Sequence, residues 1–138
     1  MVTADLLQAG RQWKRLAQEA LAAHGISEAR AAPLIWVGRL GGGVRQVTLA
    51  AHVGIEGTSL VRLLDQLSAA GLLERRDDPE DRRAKTIWLT PEGEKLAERI
   101  EQVLTDLRER VLHGVSDADI AAARRVFAAF APGRGIPA

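Results

Sequence analysis

The stretch that decides the fold is Asp81-Arg82-Arg83-Ala84-Lys85, followed after three residues by Leu89-Thr90-Pro91-Glu92-Gly93. The runs Leu72 to Arg76 and Lys85 to Leu89 predict two short strands, joined by a charged loop. Thr90 and Pro91 then provide the N-cap and the first residue of a following helix. The stretch therefore predicts a β-hairpin with a basic tip that leads directly into a helix.

The segment before the hairpin, residues 55–67, has a helical pattern. Its leucines recur at the i, i+3, i+4, i+7 spacing of one apolar stripe; they are Leu60, Leu63, Leu64 and Leu67. A different face presents Ser59, Arg62 and Gln66, whose side chains can hydrogen-bond to base edges in a major groove. Taken alone, this helix could equally present an ordinary solvated polar face instead of a DNA-binding one. The helix together with the hairpin that follows it predicts a winged helix-turn-helix.

The hairpin has no net positive charge, since residues 72–85 contain five basic and five acidic side chains. In an extended segment residues i and i+2 point to the same side, so Asp81 is expected to hold the Arg83 side chain while Arg82 points elsewhere. A narrow minor groove concentrates negative potential and accepts an inserted arginine. The alternative is a surface ion pair of little energetic consequence.

These motifs resemble the MarR family of bacterial transcriptional regulators, and within it the SlyA-like branch. The resemblance rests on residues 54–56, 59–62, 64–67, 71–72, 81–85 and 89–90. It implies a mainly α fold with a small β-hairpin wing, a winged helix-turn-helix with N- and C-terminal dimerisation helices. It also implies a single MarR-type domain over 1–138, with a helical dimerisation part at 3–45 and 94–131 and a DNA-binding part at 46–93.

The function implied by this resemblance is sequence-specific regulation of transcription, with repression as the family default. A homodimer would bind a pseudo-palindromic operator in double-stranded DNA, with half-sites about 10 bp apart. Residues 3–24 and 100–131 are the expected dimer interface. Arg83 is expected in the flanking minor groove. The expected DNA-binding residues are Thr58, Ser59, Arg62 and Gln66 on the helix, and Arg82, Arg83 and Lys85 in the wing.

A ligand site is a further implication of the resemblance, because small aromatic carboxylates can occupy a pocket between the dimerisation helices and the DNA-binding part in SlyA-like proteins. The matching positions are Arg11, Lys14, Trp36 and Arg62. Cations can bind a carboxylate and an indole can stack on a ring. The alternative places Trp13 and Trp36 in the core, with Arg11 and Lys14 solvated.

The remaining helices follow from apolar periodicity and capping residues. The first helix is expected to run from Thr3, its candidate N-cap, to about His24, and Gly25 is placed to end it. The second is expected to run from Glu28 to about Leu40, with Ser27 as its N-cap and Pro33 inside it. Gly41-Gly42-Gly43 is expected to be a flexible link, since no Gly-Lys-Ser/Thr follows to support a phosphate-binding loop. Thr48 is a candidate cap for the helix ending at Val53, and Gly54 marks the sharp turn after it.

Two long apolar stripes follow the hairpin. The fifth helix is expected to run to about His113. Its predicted apolar stripe consists of Leu96, Ile100, Val103, Leu107 and Val111. The last helix is expected to be capped by Ser116 and stopped by Pro132-Gly133. Its apolar stripe consists of Ile120, Ala123, Val126, Phe127 and Phe130. Part of each stripe is expected in the intramolecular core and part in the dimer interface.

Composition bounds the class of protein. The chain has 138 residues, a net charge of +1 and no cysteine, which argues against a polybasic DNA coat, disulfides and thiol-based sensing. No uncharged run approaches the ~20 residues of a membrane span, so a cytoplasmic protein without a membrane partner is expected. His24, His52 and His113 are scattered, and we predict no metal, no cofactor and no catalysis. The competing functional class is a winged helix that binds another protein instead of DNA.

Overall fold

A computed structural model describes residues 1–137, which form six α-helices and a three-stranded antiparallel sheet. The elements in chain order are α1 (Val2–Ala22), α2 (Glu28–Arg39), β1 (Val44–Arg45), α3 (Gln46–Val53), α4 (Gly57–Ala69), β2 (Leu73–Asp77), β3 (Lys85–Leu89), α5 (Pro91–Val111) and α6 (Asp117–Ala128). This confirms the predicted fold class. The chain divides into two compact units, the first comprising residues 1–107 and the second beginning at Arg108.

The core of the first unit surrounds α2, which contacts α1, α3, α4 and β3. Its residues Ala31, Leu34 and Val37 are almost completely buried. A helix that is apolar on all sides is stable only when its neighbours cover it. Leucines from α1, α3 and α4 complete this core; they are Leu21, Leu49, Leu60, Leu64 and Leu67.

The sheet has the order β1-β3-β2. Along the hairpin, Leu73 pairs with Leu89 and Asp77 pairs with Lys85, so residues 78–84 form the wing loop. On the other edge of β3, Val44 pairs with Ile87. The two-residue strand β1 was not predicted, because it is too short to show an alternating pattern.

The glycine run between α2 and β1 corrects the prediction of a flexible link. Gly41, Gly42 and Gly43 all have positive φ, at 83°, 80° and 63°. A Cβ atom on Gly42 would lie 3.0 Å from the Trp88 ring, and one on Gly43 would lie 2.9 Å from it. Glycine is required here both for the left-handed backbone and for the close approach of the indole.

Helix ends agree with several predicted caps and correct two of them. The Ser27 and Ser116 side chains accept hydrogen bonds from the backbone N–H groups of Arg30 and Asp119. Thr3 is not a cap, since α1 begins one residue earlier with Met1 as N-cap. Thr48 lies inside α3, whose N-cap is Arg45.

The buried stripe of α5 also differs from the predicted one. Within the first unit it consists of Gly93, Ala97, Ile100, Leu104 and Leu107. Leu96 and Val103 are only partly buried, and Val111 in the second unit is exposed. The pattern was ambiguous because apolar residues occupy adjacent positions at 96–97 and 103–104, and the small Gly93 and Ala97 turned out to face the core.

The second unit consists of the end of α5 and of α6. None of the α6 residues is buried. Val126, Phe127 and Phe130 are 45%, 50% and 57% exposed. Across residues 1–137 no single helix is long and apolar enough to span a membrane; α3 and α4 meet that criterion only together, as a pair bent by 105°.

Candidate nucleic-acid interface

The helix α4 is positioned by the turn that precedes it and by its apolar face. Gly54 adopts φ 75°, and its N–H donates to the carbonyl of Ala50, which ends α3. Leu60, Leu64 and Leu67 are then buried beneath α4. Burying this stripe places the opposite face of the helix in solvent, as the sequence predicted.

The predicted DNA-binding residues of α4 lie on the solvent-exposed part of the helix. Thr58, Ser59, Arg62 and Gln66 are all exposed. Within residues 1–137 the Arg62 guanidinium has no ion-pair or hydrogen-bond partner. A helix face with free donors and acceptors can enter a major groove without first breaking intramolecular contacts.

The start of α5 fixes the base of the wing. The Thr90 hydroxyl donates to the carbonyl of Gly71 at 2.6 Å and accepts from the N–H of Gly93 at 3.0 Å. The N–H of Thr90 also donates to the carbonyl of Leu72. A Cβ atom on Gly93 would overlap that same carbonyl oxygen. These contacts explain why Thr90 and Gly93 follow the wing strand.

Two ion pairs hold the wing strands. Arg75 of β2 pairs with Asp65 of α4, and Lys85 of β3 pairs with Asp77 across the hairpin. Arg76 lies over the Trp88 ring, with its Cζ atom 4.4 Å from the ring centroid. Lys85 was predicted to bind DNA, and the structure gives its ammonium group an intramolecular partner.

Asp78 fixes the wing loop from inside. It is only 7% exposed. Its Oδ2 atom accepts from Arg45 Nε at 2.8 Å, and its Oδ1 atom accepts from the N–H of Glu80 at 2.9 Å. The Glu80 N–H and then the Arg45 guanidinium keep the pKa of Asp78 below its usual value, outweighing the opposing effect of burial.

The wing tip corrects one prediction about Asp81. Its carboxylate accepts from the backbone N–H of Arg83 at 3.0 Å, instead of holding the Arg83 side chain. The loop backbone is therefore what Asp81 fixes. Arg82 and Arg83 are exposed, and within residues 1–137 neither guanidinium has an intramolecular partner.

Sequence reasoning missed Arg45, Asp78 and Arg75 as residues that position the wing. Arg45 and Asp78 are 33 positions apart, and no periodic pattern connects them. Arg75 was counted only as one of the basic groups of the hairpin. A detectable sign was the local sequence Asp78-Pro79-Glu80, since an Asp side chain that accepts from the N–H two residues later is a common turn.

The four predicted ligand residues are not brought together within this chain. Arg11 and Lys14 are exposed on α1, and Arg62 is exposed on α4. The centroid of the Trp36 ring lies 4.8 Å from that of the His52 ring. The Arg39 Cζ atom lies 5.2 Å from the centroid of the same Trp36 ring. Within the described chain, no hydrogen bond, ion pair or ring contact links any two of the four.

Comparison with known proteins places this geometry in a family. The MarR family model matches residues 24–84. The crystal structure of the transcriptional regulator PA3341 is 35% identical over 94% of this chain and 95% of that one, with a TM-score of 0.86. The chain belongs to the MarR family.

Other MarR structures have the same architecture. A MarR-family transcriptional regulator from Rhodococcus sp. RHA1 is 25% identical over 98% of this chain and 95% of that chain, with a TM-score of 0.83. A mutant of MarR from E. coli, solved in complex with operator DNA, is 22% identical over 95% of this chain and 94% of that one, with a TM-score of 0.78. The latter similarity is one of fold.

Proposed function

We propose that this MarR-family protein is a homodimeric, sequence-specific repressor that binds a pseudo-palindromic operator in double-stranded DNA and acts in the cytoplasm. Two copies of α4 would enter successive major grooves, with half-site centres about 10 bp apart. Its docking mode would follow the SlyA-like branch, which the wing and α4 motifs resemble. No catalytic role is proposed.

The observation that supports this proposal best is the free polar face of α4. Ser59, Arg62 and Gln66 are exposed there, while Leu60, Leu64 and Leu67 of the same helix are buried. Arg62 can donate two hydrogen bonds to a guanine, and Gln66 can pair with an adenine. Thr58, at the start of the helix, is proposed to contact phosphate.

The wing supplies the second part of the proposed DNA surface. Arg82 and Arg83 extend from a loop whose backbone is fixed by Asp78 and Asp81. An arginine presented by an ordered loop loses less conformational entropy on entering a minor groove. Lys85 is proposed to contribute less, because it is already paired with Asp77.

Dimerisation is proposed through residues 3–24 and 100–131. In the first unit Leu7 is 63% exposed on α1. In the second unit Val126 and Phe127 of α6, and Phe130 just after this helix, are exposed apolar side chains. Apolar side chains of this size are expected to be covered by a partner. Within this dimer, an aromatic carboxylate held by Arg11, Lys14, Trp36 and Arg62 stays a prediction.

The test is fluorescence anisotropy against duplexes tiled from the DNA beside the gene, repeated over a salt series. We expect binding to one pseudo-palindromic tile with a dissociation constant of about 10⁻⁸ M, weakening steeply with salt. Arg62→Ala should lose discrimination between that tile and a scrambled duplex. Arg99→Ala removes an exposed cation from α5 and serves as the matched control.

The competing function is that of a winged helix that binds a protein partner and has lost the ability to bind DNA. It predicts weak and equal binding to every tile, with no difference between wild type and Arg62→Ala. Equal affinity of the wild type for operator and scrambled duplexes would overturn the proposal.

A further inference from the structure

A groove in the first unit lies between α2, the wing strand β3 and α5. Its volume is ≈ 730 Å³, within the range of small-molecule sites. Its apolar lining includes Ile35, Val37, Ala97, Trp88 and Leu89. Of these, Ile35, Val37 and Ala97 are buried in the core, so the floor of the groove is set by the packing of the fold.

One wall of the α2–α5 groove is acidic. Glu94, Glu98 and Glu101 are spaced by four and three residues on α5 and all line the groove. This is the spacing of one helix face. Among the described residues that line it, the single cation is Arg39, so three carboxylates and one guanidinium give the groove a formal charge of −2.

The two unneutralised charges belong to Glu94 and Glu98. Arg39 is engaged with Glu101 in a two-pronged ion pair, with Nε–Oε1 at 2.6 Å and Nη2–Oε2 at 3.1 Å. Within residues 1–137 neither Glu94 nor Glu98 has an ion-pair partner. An apolar floor beside two free carboxylates complements a molecule with an apolar body and a cationic end.

We propose that the α2–α5 groove binds small organic cations, of which aryl-alkyl amines are the representative class. The ammonium group would lie between Glu94 and Glu98, and the aryl group would cover Ala97 and the Leu89 side chain. An aromatic carboxylate is disfavoured here because its charge would lie beside two like charges. This site therefore differs in residues and in ligand charge from the one predicted around Arg11, Lys14, Trp36 and Arg62.

The groove also has a geometric link to the wing. Trp88 and Leu89 belong to β3, whereas Glu94 and Glu98 belong to α5. A bound amine touches both elements and stabilises whichever wing orientation it fits better. This regulatory consequence rests on the proposed function, whereas amine binding is a property of the protein alone.

The experiment uses three compounds with one carbon skeleton: 4-phenylbutylamine, 4-phenylbutanol and 4-phenylbutyrate. Calorimetry on the full chain without DNA measures each affinity. We expect the amine to bind at least about tenfold more tightly than the carboxylate. The double variant Glu94→Gln, Glu98→Gln should lose most of this preference, whereas Glu92→Gln, which removes a carboxylate of α5 outside the groove lining, should keep it.

The location of binding is read from the indole N–H signals in ¹⁵N–¹H NMR. Trp88 lines the groove, so its signal, assigned with Trp88→Phe, should move with amine concentration more than those of Trp13 and Trp36. The proposal is overturned if the carboxylate binds as well as the amine, if the double variant behaves like wild type, or if no compound binds. Each readout is independent of operator binding, so failure to bind DNA leaves the result for the groove intact.

Discussion

The guanidinium of Arg75 in β2 lies 2.8 Å from the carboxylate of Asp65 in α4, and it also donates to the carbonyl of Val61 at 3.5 Å. These contacts tie the wing to the helix that is proposed to read DNA. The side chains of Arg75 and Asp65 are 27% and 62% exposed, so solvent screens much of their attraction. The main effect of the pair is to fix the distance between two elements that are proposed to contact DNA.

A double-mutant cycle tests that pair. Asp65→Asn and Arg75→Gln should each destabilise the protein slightly, with a coupling energy of about 0.2–1 kcal/mol in urea unfolding. Raising the salt concentration should reduce the coupling. Strictly additive effects of the two substitutions at low salt would show that the ion pair contributes nothing to stability.

The two classes of cation in the wing should differ in their effect on DNA. Arg83→Ala removes a guanidinium without an intramolecular partner in the described chain, so operator affinity should fall by about 1–3 kcal/mol. Lys85→Ala should cost less, since Asp77 already neutralises that ammonium group. Anisotropy measures both affinities. An equal or larger loss for Lys85→Ala would contradict this ranking.

The dimer must survive Arg83→Ala for that comparison to hold. Light scattering on the same samples checks its mass. A variant that loses its partner would assign Arg83 a structural role instead of a DNA contact.

Gly93 offers a direct test of the junction between the wing and α5. Gly93→Ala places a Cβ atom against the carbonyl oxygen of Leu72, so it should destabilise the protein by about 1–3 kcal/mol or more. Gly38→Ala is the matched control, because its Cβ atom would meet Leu89 at an ordinary 3.6 Å. That control should be neutral or stabilising by up to about 1 kcal/mol in thermal or urea unfolding. Equal stability of the two variants would contradict the packing.

Sequence patterns predicted the elements whose cause is local. The Ser27 and Ser116 caps, the Gly54 turn and the Thr90 cap are each set by a few neighbouring residues, and the structure has all of them. The apolar face of α4 was also predictable, since four large leucines repeat at helical spacing without competing positions.

What could not be predicted depends on residues distant in sequence. Trp88 and the glycines at 42 and 43 explain each other only when β3 lies beside the turn. Likewise, the role of Asp78 in fixing the wing loop depends on Arg45, which lies beside it only because β1 joins the sheet. The acidic wall of the groove was visible as spaced glutamates, yet nothing in the sequence indicated that an apolar floor lies beside it.

Asp78 should make the free energy of unfolding depend on pH in the acidic range. Because its pKa is lowered in the folded state, the ionised form contributes stability that is present above the unfolded value of about 3.9 and is lost as pH falls through the lower folded value. Asp78→Asn should therefore be less stable near neutral pH and should show a smaller further loss below about pH 4. Urea unfolding between about pH 7 and 2.5 measures both slopes.

The control for that titration is Asp106→Asn, which also removes one carboxylate but leaves the wing loop intact. Its acid dependence should follow that of the wild type. Parallel pH curves for the wild type and Asp78→Asn would mean that the Arg45 and Glu80 contacts do not favour the ionised form.

The apolar face of α6 should be required for the proposed dimer. Phe127→Asp introduces a charge at a half-exposed phenylalanine, so the mass in light scattering should fall from about twice the chain mass to the 14.9 kDa of one chain. Ile136→Asp alters an isoleucine that is 95% exposed and should leave the mass unchanged. A Phe127→Asp protein that keeps the wild-type mass would exclude α6 from the interface.

Gly42 and Gly43 bring the backbone against the Trp88 indole where α2 is joined to the sheet. Both have positive φ, and a Cβ atom added at either position would lie within 3.0 Å of the ring. Only residues 40–43 separate the end of α2 from β1. A side chain at position 42 or 43 would therefore have to displace Trp88, and with it the strand β3 that leads out to the wing.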